Sequence, residues 1–247
     1  MLFVLTGDIQ TGKTRALCDV LEKVAAEGVV PFGVVAPGLW RDPAKDAAVA
    51  YVSGGFACPE ADLFDWGSIP VERVDANGFE KLGITNMLYP QGETLLFGLR
   101  RDVAKACGRL VEDAQSERAR LGWHMSDEAI AKVDAHFAVA CEKGVLAAAK
   151  EAAGGRFDDA EQALLVVDEL GMLELYRKGG LVSAMKLLDA GPTPECQHAL
   201  VVVRSRLSYL AEERFADAWN GYLDIYPGTA SPGAILGALR CSARRRG

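Results

Sequence analysis

The sequence predicts an α/β fold in which a mostly parallel sheet carries helices on both faces. Short, continuous apolar runs alternate along the chain with segments whose apolar residues recur at helical spacing. The apolar runs lack the polar alternation of half-exposed strands, as expected when both faces of a sheet are covered. The chain has 247 residues, of which 50% are hydrophobic, so it can bury one large core.

The first strand and the first helix flank a tight turn near the N-terminus. Residues 2–6 form a short apolar run of the β type, and residues 14–27 place apolar side chains on one helical face before Gly28. Residues 29–36 predict the next strand. The alternation returns later, with strands predicted at residues 163–168, 199–203 and 222–226 and helices predicted through 185–188, over about 205–219 and from about Pro232.

The stretch from about residue 50 to residue 122 interrupts this alternation. Gly, Pro and Asn-Gly turn signals separate short, irregular strands, and the charged residues 101–122 predict a helix. The apolar residues here are too interrupted to predict a separate core. We therefore predict a single domain over residues 1–247 with an irregular insertion or lid at about 50–122. The helix that follows is capped by Ser126 and carries Cys141 on its apolar face.

Composition and charge argue against several classes of protein. The net charge of −7 argues against binding nucleic acid through a broad basic face, because such binding neutralises phosphates with Lys and Arg. The basic run Arg244, Arg245 and Arg246 predicts a solvated tail. With neither a spanning apolar segment nor a basic leader, we expect no membrane insertion or export and predict a cytoplasmic protein. Six scattered cysteines predict no zinc site, and Cys18 and Cys141 are predicted to be buried.

The turn after the first strand contains a phosphate-binding pattern. Gly7, Gly12, Lys13 and Thr14 satisfy G-x-x-x-x-G-K-[ST] between a buried strand and a helix. Such a loop turns backbone N–H groups inward, and the helix adds its free N–H groups and its dipole. Lys13 adds a positive charge at the reacting phosphate, and the Thr14 hydroxyl is a ligand for Mg²⁺. The predicted phosphate-binding residues are Gly7, Asp8, Ile9, Gln10, Thr11, Gly12, Lys13, Thr14 and Arg15, with the Asp8 carboxylate directed to solvent.

A second pattern, "LLVVDELGMLEL", ends a buried strand with two acids. An acid at the end of a strand beside a phosphate loop holds Mg²⁺, and this role is predicted for Asp168. Glu169 projects one residue further, where a carboxylate can orient and deprotonate an attacking water. Asp168 is therefore the predicted metal residue together with Thr14, and Glu169 is the predicted general base.

These two segments resemble the small P-loop nucleoside-triphosphatases of the thermophile phosphohydrolase type. That family carries an N-terminal phosphate loop and a later D-E-[IL]-G-x-x-E segment, here "DELGMLE" from Asp168 to Glu174. The resemblance covers residues 1–50 and 122–230. It implies a RecA-like core and Mg²⁺-dependent hydrolysis of ATP or another nucleoside triphosphate to diphosphate and phosphate, with relaxed base specificity.

Neither motif identifies a cation that would stabilise the charge developing on the γ-phosphate. Arg204 is the first choice, because it directly follows a strand whose C-terminal end faces the ligand side of the sheet. Arg41, Arg100, Arg101 and Arg206 are the alternatives. Four tryptophans are alternatives for stacking on the base (Trp40, Trp66, Trp123 and Trp219), and His124 is an alternative phosphate contact.

Two other functions remain open from the sequence. A small-molecule kinase would use the 50–122 insertion as an acceptor lid, and a nucleotide-gated interaction protein would use slow hydrolysis as a timer. Rapid release of phosphate without any additive favours a hydrolase over both alternatives. The protein partner, if any, is not predicted.

Overall fold

Strands and helices alternate along the chain in the computed structural model, which describes residues 1–8, 10–228 and 231–244. The strands are β1 (Leu2–Gly7), β2 (Val29–Val35), β3 (Gly38–Asp42), β4 (Asp46–Val52), β5 (Glu80–Tyr89), β6 (Thr94–Arg100), β7 (Trp123–Met125), β8 (Gln162–Leu170), β9 (His198–Arg204) and β10 (Tyr222–Ile225). The helices are α1 (Lys13–Ala26), α2 (Arg101–Ala106), α3 (Gln115–Arg118), α4 (Asp127–Lys143), α5 (Val145–Ala153), α6 (Met172–Leu175), α7 (Val182–Ala190), α8 (Ser208–Phe215) and α9 (Ser231–Arg244).

The chain divides into two compact units. The first contains Met1–Val35, Leu88–Gly92 and Asp134–Gly247, and the second contains Ala36–Met87 and Glu93–Val133. The interpretation of residues 50–122 as an insertion or lid within one domain stays a prediction.

A parallel sheet forms the centre of the first unit. Its strands follow the order β10-β1-β9-β8-β2, and each neighbouring pair is parallel. The strands β1, β2, β8 and β9 are buried almost throughout, and α1, α5 and α8 pack against the sheet. The packing is close at Gly33, where an added Cβ would lie 1.8 Å from the Val166 carbonyl oxygen of β8. The predicted α/β class with a mostly parallel sheet is confirmed, and the sheet as a whole is mixed.

The second unit is more regular than the sequence predicts. Its strands pair antiparallel, β4 with β3, β3 with β5, β5 with β6 and β6 with β7. One face of this sheet covers an apolar cluster that includes Leu39, Trp66, Leu82, Leu99 and Val103. The expectation of apolar content too interrupted for a core is therefore wrong, because residues that are dispersed along the chain meet across neighbouring strands.

Helix boundaries differ from the prediction at two places. The helix predicted over residues 101–122 is two short helices, because Gly108 adopts a left-handed φ of 64° just after α2 ends. The helix predicted over about 205–219 begins with a 3₁₀ turn and continues as α8 only to Phe215. By contrast, the predicted cap of α4 is confirmed, since Ser126 Oγ accepts a hydrogen bond from Ala129 N at 3.2 Å.

One cysteine prediction is wrong. Cys141 is exposed, although its Sγ lies 3.5 Å from the Ser183 carbonyl oxygen, and Cys18 is only half-buried. The helical spacing that placed Cys141 on the apolar face holds for Phe137, one turn earlier, which is fully buried. Among the described residues, no helix combines the length and the apolar character needed to cross a bilayer.

A network of buried charges supports the second unit. Arg41 and Glu80 are both fully buried, and Arg41 Nε donates to Glu80 Oε2 at 2.6 Å. Arg100 Nη2 donates to Glu80 Oε1 at 2.8 Å, and Arg100 Nε donates to both Asp102 oxygens. Burial opposes ionisation of Glu80, but the hydrogen bonds donated by Arg100, Arg41 and nearby backbone outweigh it and hold the pKa of Glu80 below its ordinary value.

Two histidines of the first unit are expected to make its stability sensitive to mild acid. Burial lowers the pKa of His136 and of His198 to about 4. The His136 ring also stacks on Phe32, with ring centroids 4.3 Å apart. Because the unfolded chain binds these protons near pH 6.5, stability is fully present above that pH and is lost as the pH falls towards 4. We expect the free energy of unfolding to fall between pH 7.5 and 5, by at most about 1.4 kcal/mol per pH unit for each histidine. Urea denaturation of the wild type and of His136→Leu checks this. The substituted protein should show a smaller decrease, and an equal decrease in both proteins would contradict the assignment to His136.

Candidate functional site

The loop between β1 and α1 leads into the helix through a glycine with a left-handed backbone conformation. Gly12 precedes α1 with a φ of 85°, a left-handed conformation that glycine adopts without strain. Its carbonyl oxygen accepts the first helical hydrogen bond, from Ala16 N at 3.0 Å. Thr11 Oγ1 donates to the Asp8 carbonyl oxygen at 2.9 Å, which closes the loop. The helix N-terminus therefore directly follows the loop, as the phosphate-binding pattern requires. Ile9 lies outside the described residues, as do Arg245 and Arg246 of the basic tail.

Lys13 is held across the loop. Its Nζ donates to the carbonyl oxygens of Gly7 at 2.9 Å and Asp8 at 2.6 Å. Burial lowers the pKa of Lys13, and the carboxylates of Glu169 and Asp168 partly offset this effect. The ammonium group thus lies inside the loop and within the field of both acids. Arg15, the last of the predicted loop residues, is exposed.

Thr14 and Asp168 come together although 154 residues separate them. Thr14 Oγ1 donates to Asp168 Oδ2 at 3.5 Å, and Asp168 is only 3% exposed at the end of β8. A hydroxyl and a carboxylate supply oxygen ligands, the type that Mg²⁺ prefers. The pairing predicted from the sequence is therefore present in the structure, and its role in holding a metal stays a prediction.

The backbone changes direction at Glu169. The register of β8 against β9 shifts between Val167 and Leu170, and Glu169 has a φ of 60°. A bulge at a strand end redirects side chains, and a left-handed non-glycine residue is held there only by its surroundings. Asp168 is consequently buried, whereas the Glu169 side chain is about one-third exposed. The two adjacent acids occupy different environments, as their different predicted roles require.

Arg204 lies beside these acids. It ends β9, where it is in register with Gly7 of β1, and its Nη2 is 3.7 Å from Glu169 Oε2. Of the predicted arginines, Arg41 and Arg100 donate their hydrogen bonds inside the buried network of the second unit. Arg101 is paired with Glu117 at 2.6 Å. Arg206 is exposed. Among the described residues, Arg204 is the predicted arginine that forms an ion pair with Glu169.

Asp8 makes a contact that the sequence did not predict. Its carboxylate is exposed, in agreement with the prediction, and also accepts a hydrogen bond from Ser205 Oγ at 2.6 Å. Ser205 follows Arg204, so this contact joins the loop to the end of β9. Sequence reasoning missed Ser205, and no local signal pointed to it, because the two residues are 197 positions apart.

Glu174, the last acid of the segment from Asp168 to Glu174, stabilises the local backbone. It is buried, and its Oε2 accepts a hydrogen bond from Gly171 N at 3.1 Å, which caps α6. Burial raises the pKa of Glu174, although the hydrogen bond from Gly171 opposes this effect. The segment after Glu169 is thereby fixed in a turn.

The aromatic alternatives divide into two pairs. Trp66 and Trp219 are buried and donate Nε1 to the carbonyl oxygens of Ala61 at 3.0 Å and Leu188 at 2.8 Å. Trp40 and Trp123 are half-buried, with the Nζ of Lys81 5.7 and 5.4 Å from their ring centroids. The first pair is therefore unavailable for stacking on a ligand.

Comparisons of the chain with protein-family models, with curated protein sequences and with solved structures found no match.

Lys13 offers a direct test of phosphate binding. We expect Lys13→Ala to weaken binding of Mg²⁺–ATP by about 1.5–3 kcal/mol, the usual contribution of a hydrogen bond to a charged group. Calorimetry measures the dissociation constant. Lys23→Ala, an exposed lysine of the same helix, is the control and should bind as the wild type does. An unchanged dissociation constant for Lys13→Ala would exclude this loop as the binding site.

Proposed function

We propose that the chain is a Mg²⁺-dependent nucleoside-triphosphatase that releases a diphosphate and phosphate and has relaxed base specificity. The observation that carries the proposal is the approach of Thr14 to Asp168 at 3.5 Å, immediately behind a loop with the phosphate-binding pattern. The strand order supports a RecA-like core, since β9 lies between the phosphate-loop strand β1 and the strand β8 that bears both acids.

The phosphate-binding step uses the loop and the helix behind it. The N–H groups at the start of α1 and the Lys13 ammonium supply positive charge for the β- and γ-phosphates. To bind phosphate oxygens, Lys13 Nζ gives up its hydrogen bonds to the carbonyl oxygens of Gly7 and Asp8. The Lys13 ammonium is thus held beside the loop before the nucleotide binds.

Thr14 and Asp168 are the residues that would hold the metal. Their oxygen atoms are close and partly buried, and the donor set fits Mg²⁺. An ion held there would supply positive charge to the phosphate groups of the substrate. Asp168 Oδ2 also accepts a hydrogen bond from the Thr14 hydroxyl, and this contact fixes the rotamer of Thr14.

Glu169 is the proposed general base for the attacking water. The water oxygen forms a bond to the γ-phosphorus, the bond from that phosphorus to the bridging oxygen breaks, and the water proton passes to the Glu169 carboxylate. Arg204, 3.7 Å from Glu169, supplies positive charge for the γ-phosphate in the transition state. The same contact orients the Glu169 carboxylate before substrate binds.

Phosphate release by the purified protein tests the proposal. We expect release of about one phosphate per second or faster with Mg²⁺ and any of ATP, GTP, CTP or UTP, without an acceptor. Tight binding of Mg²⁺–nucleotide with almost no release would favour the nucleotide-gated alternative. Release that depends on an added small-molecule acceptor would favour the kinase.

A further inference from the structure

A side-chain hydrogen bond joins the phosphate loop to the end of β9, beyond the last backbone pair of the two strands. The pairing of β1 with β9 ends at Gly7 and Arg204. Asp8 and Ser205 are the next residues along the chain after this pair, and Ser205 Oγ donates to Asp8 Oδ1 at 2.6 Å. A hydrogen bond to a carboxylate is stronger than one between neutral groups. The connection between loop and strand therefore continues one residue past the sheet.

Asp8 passes this connection to the rest of the loop. Its carbonyl oxygen accepts hydrogen bonds from Thr11 Oγ1 at 2.9 Å and from Lys13 Nζ at 2.6 Å. Its carboxylate accepts the hydrogen bond from Ser205. One residue thus contacts the turn of the loop, the cation of the loop and the end of β9.

The segment that carries Ser205 is anchored to the core. Ser205 begins the 3₁₀ turn Ser205–Leu207, which precedes α8. Leu207 is buried, and Ser208 Oγ donates to the Ser205 carbonyl oxygen at 2.9 Å. Because this turn is fixed, the hydrogen bond from Ser205 restrains the loop relative to the end of β9.

Arg204 is the residue whose position this restraint affects. It directly precedes Ser205, and its Nη2 lies 3.7 Å from Glu169 Oε2. Burial lowers the pKa of Lys13, the Arg204 guanidinium adds to this effect and the Asp8 carboxylate opposes it, so all three charges act within one site. A displacement of about 1 Å from the productive geometry can slow a reaction about 100-fold. The distance between the end of β9 and the loop therefore matters for the charge that Arg204 supplies.

We propose that Ser205 is a positioning residue, which holds the end of β9 to the loop through Asp8 and thereby aligns Arg204 with the γ-phosphate. The inference rests on the proposed function, because it concerns the same site. Ser205 itself contacts no substrate. Loss of its hydroxyl slows the chemical step but does not weaken nucleotide binding, since the contacts of Asp8 with Thr11 and Lys13 remain within the loop.

The steady-state rate and the affinity of three serine variants test this role. Ser205→Ala should lower kcat for phosphate release from Mg²⁺–ATP about threefold to tenfold, the effect of one hydrogen bond, with the dissociation constant within about twofold of wild type. Ser205→Thr keeps the hydroxyl and should restore most of the rate. The control is Ser68→Ala, which removes another exposed hydroxyl, one that donates to the Asp65 carbonyl oxygen at 2.8 Å. It should change neither quantity.

A double variant tests whether Ser205 acts through Arg204. Arg204→Gln removes the guanidinium and slows phosphate release by itself. Adding Ser205→Ala to Arg204→Gln should lower kcat by less than about twofold further, because two residues that act as a unit do not have additive effects. A merely structural role of Ser205 would give its full effect in both backgrounds.

The inference is overturned if Ser205→Ala releases phosphate at the wild-type rate, or if it weakens nucleotide binding as much as it slows release. It is also overturned if Ser205→Thr is as slow as Ser205→Ala, if Ser68→Ala has the same effect, or if the effects of Ser205→Ala and Arg204→Gln are additive. In all these cases the wild type still hydrolyses ATP, so the proposed function stands. A wild-type protein that releases no phosphate from ATP overturns both the proposed function and this inference.

Discussion

Replacing Glu169 by Gln is expected to slow phosphate release by roughly 10²–10⁴-fold, the usual contribution of a general base. The amide keeps the size of the side chain but cannot accept the proton of water. Because Lys13 and Thr14 are unchanged, the dissociation constant for Mg²⁺–nucleotide should remain within about threefold of wild type. Steady-state phosphate release and calorimetry measure the two quantities separately.

Two variants distinguish this role from general effects. Glu161→Gln changes an exposed glutamate just before β8 and should release phosphate at the wild-type rate. Asp168→Asn should weaken both Mg²⁺ dependence and nucleotide affinity along with the rate, since Asp168 is assigned to the metal. If Glu169→Gln hydrolyses within about threefold of wild type, Glu169 is not the base, and the preference for hydrolysis over phosphoryl transfer loses its main support.

The second large effect concerns stability rather than chemistry. Glu80→Ala is expected to lower the free energy of unfolding of the second unit by about 3–5 kcal/mol, because removal of one partner leaves buried charge without compensation. Both Arg41 and Arg100 lose a charged acceptor in the variant. Arg41 keeps the carbonyl acceptors of Trp66, Ile69 and Pro70, which carry no full charge. Urea denaturation checks the result.

A surface glutamate provides the comparison for Glu80. Glu112 is exposed in the same unit, and Glu112→Ala should change the free energy of unfolding by no more than about 0.5 kcal/mol. A loss below about 1 kcal/mol for Glu80→Ala would show that the buried network does not support the second unit.

Local signals predicted the elements that build the phosphate site. An apolar run, two glycines at fixed spacing and helical periodicity specify β1, the loop and α1 within 26 residues. Another continuous apolar run specifies β8 and places its two acids at a strand end. These features depend on neighbours in the sequence, so a single sequence suffices to predict them.

The second unit was poorly predicted because its order comes from pairing between strands. Leu39 pairs with Gly83, and Gly83 pairs with Leu99, so buried residues from three strands lie on one face. The turns between these strands interrupt the apolar pattern along the sequence. Arg41 shows the same limit. An arginine within a strand pattern indicates an exposed position, whereas its burial here depends on Glu80, 39 residues away.

The sequence did not predict the environment of Glu169. The motif gave the order of the two acids but not the bulge that separates their environments, nor the contact of Glu169 with Arg204. The Arg204 prediction came from its position at the C-terminal end of a predicted strand, and the structure adds its distance from Glu169. By contrast, the contact between Asp8 and Ser205 had no signal in either segment.

Phosphorus NMR of the products tests the central claim most directly. Purified protein with Mg²⁺ and ATP, and no other additive, should convert the triphosphate to equal amounts of ADP and inorganic phosphate. Lys13→Ala, purified in the same way, should form far less of both, which excludes a contaminating phosphatase. Bound ATP that stays intact, or phosphate that forms equally with Lys13→Ala, would contradict the assignment of this site to nucleoside-triphosphate hydrolysis.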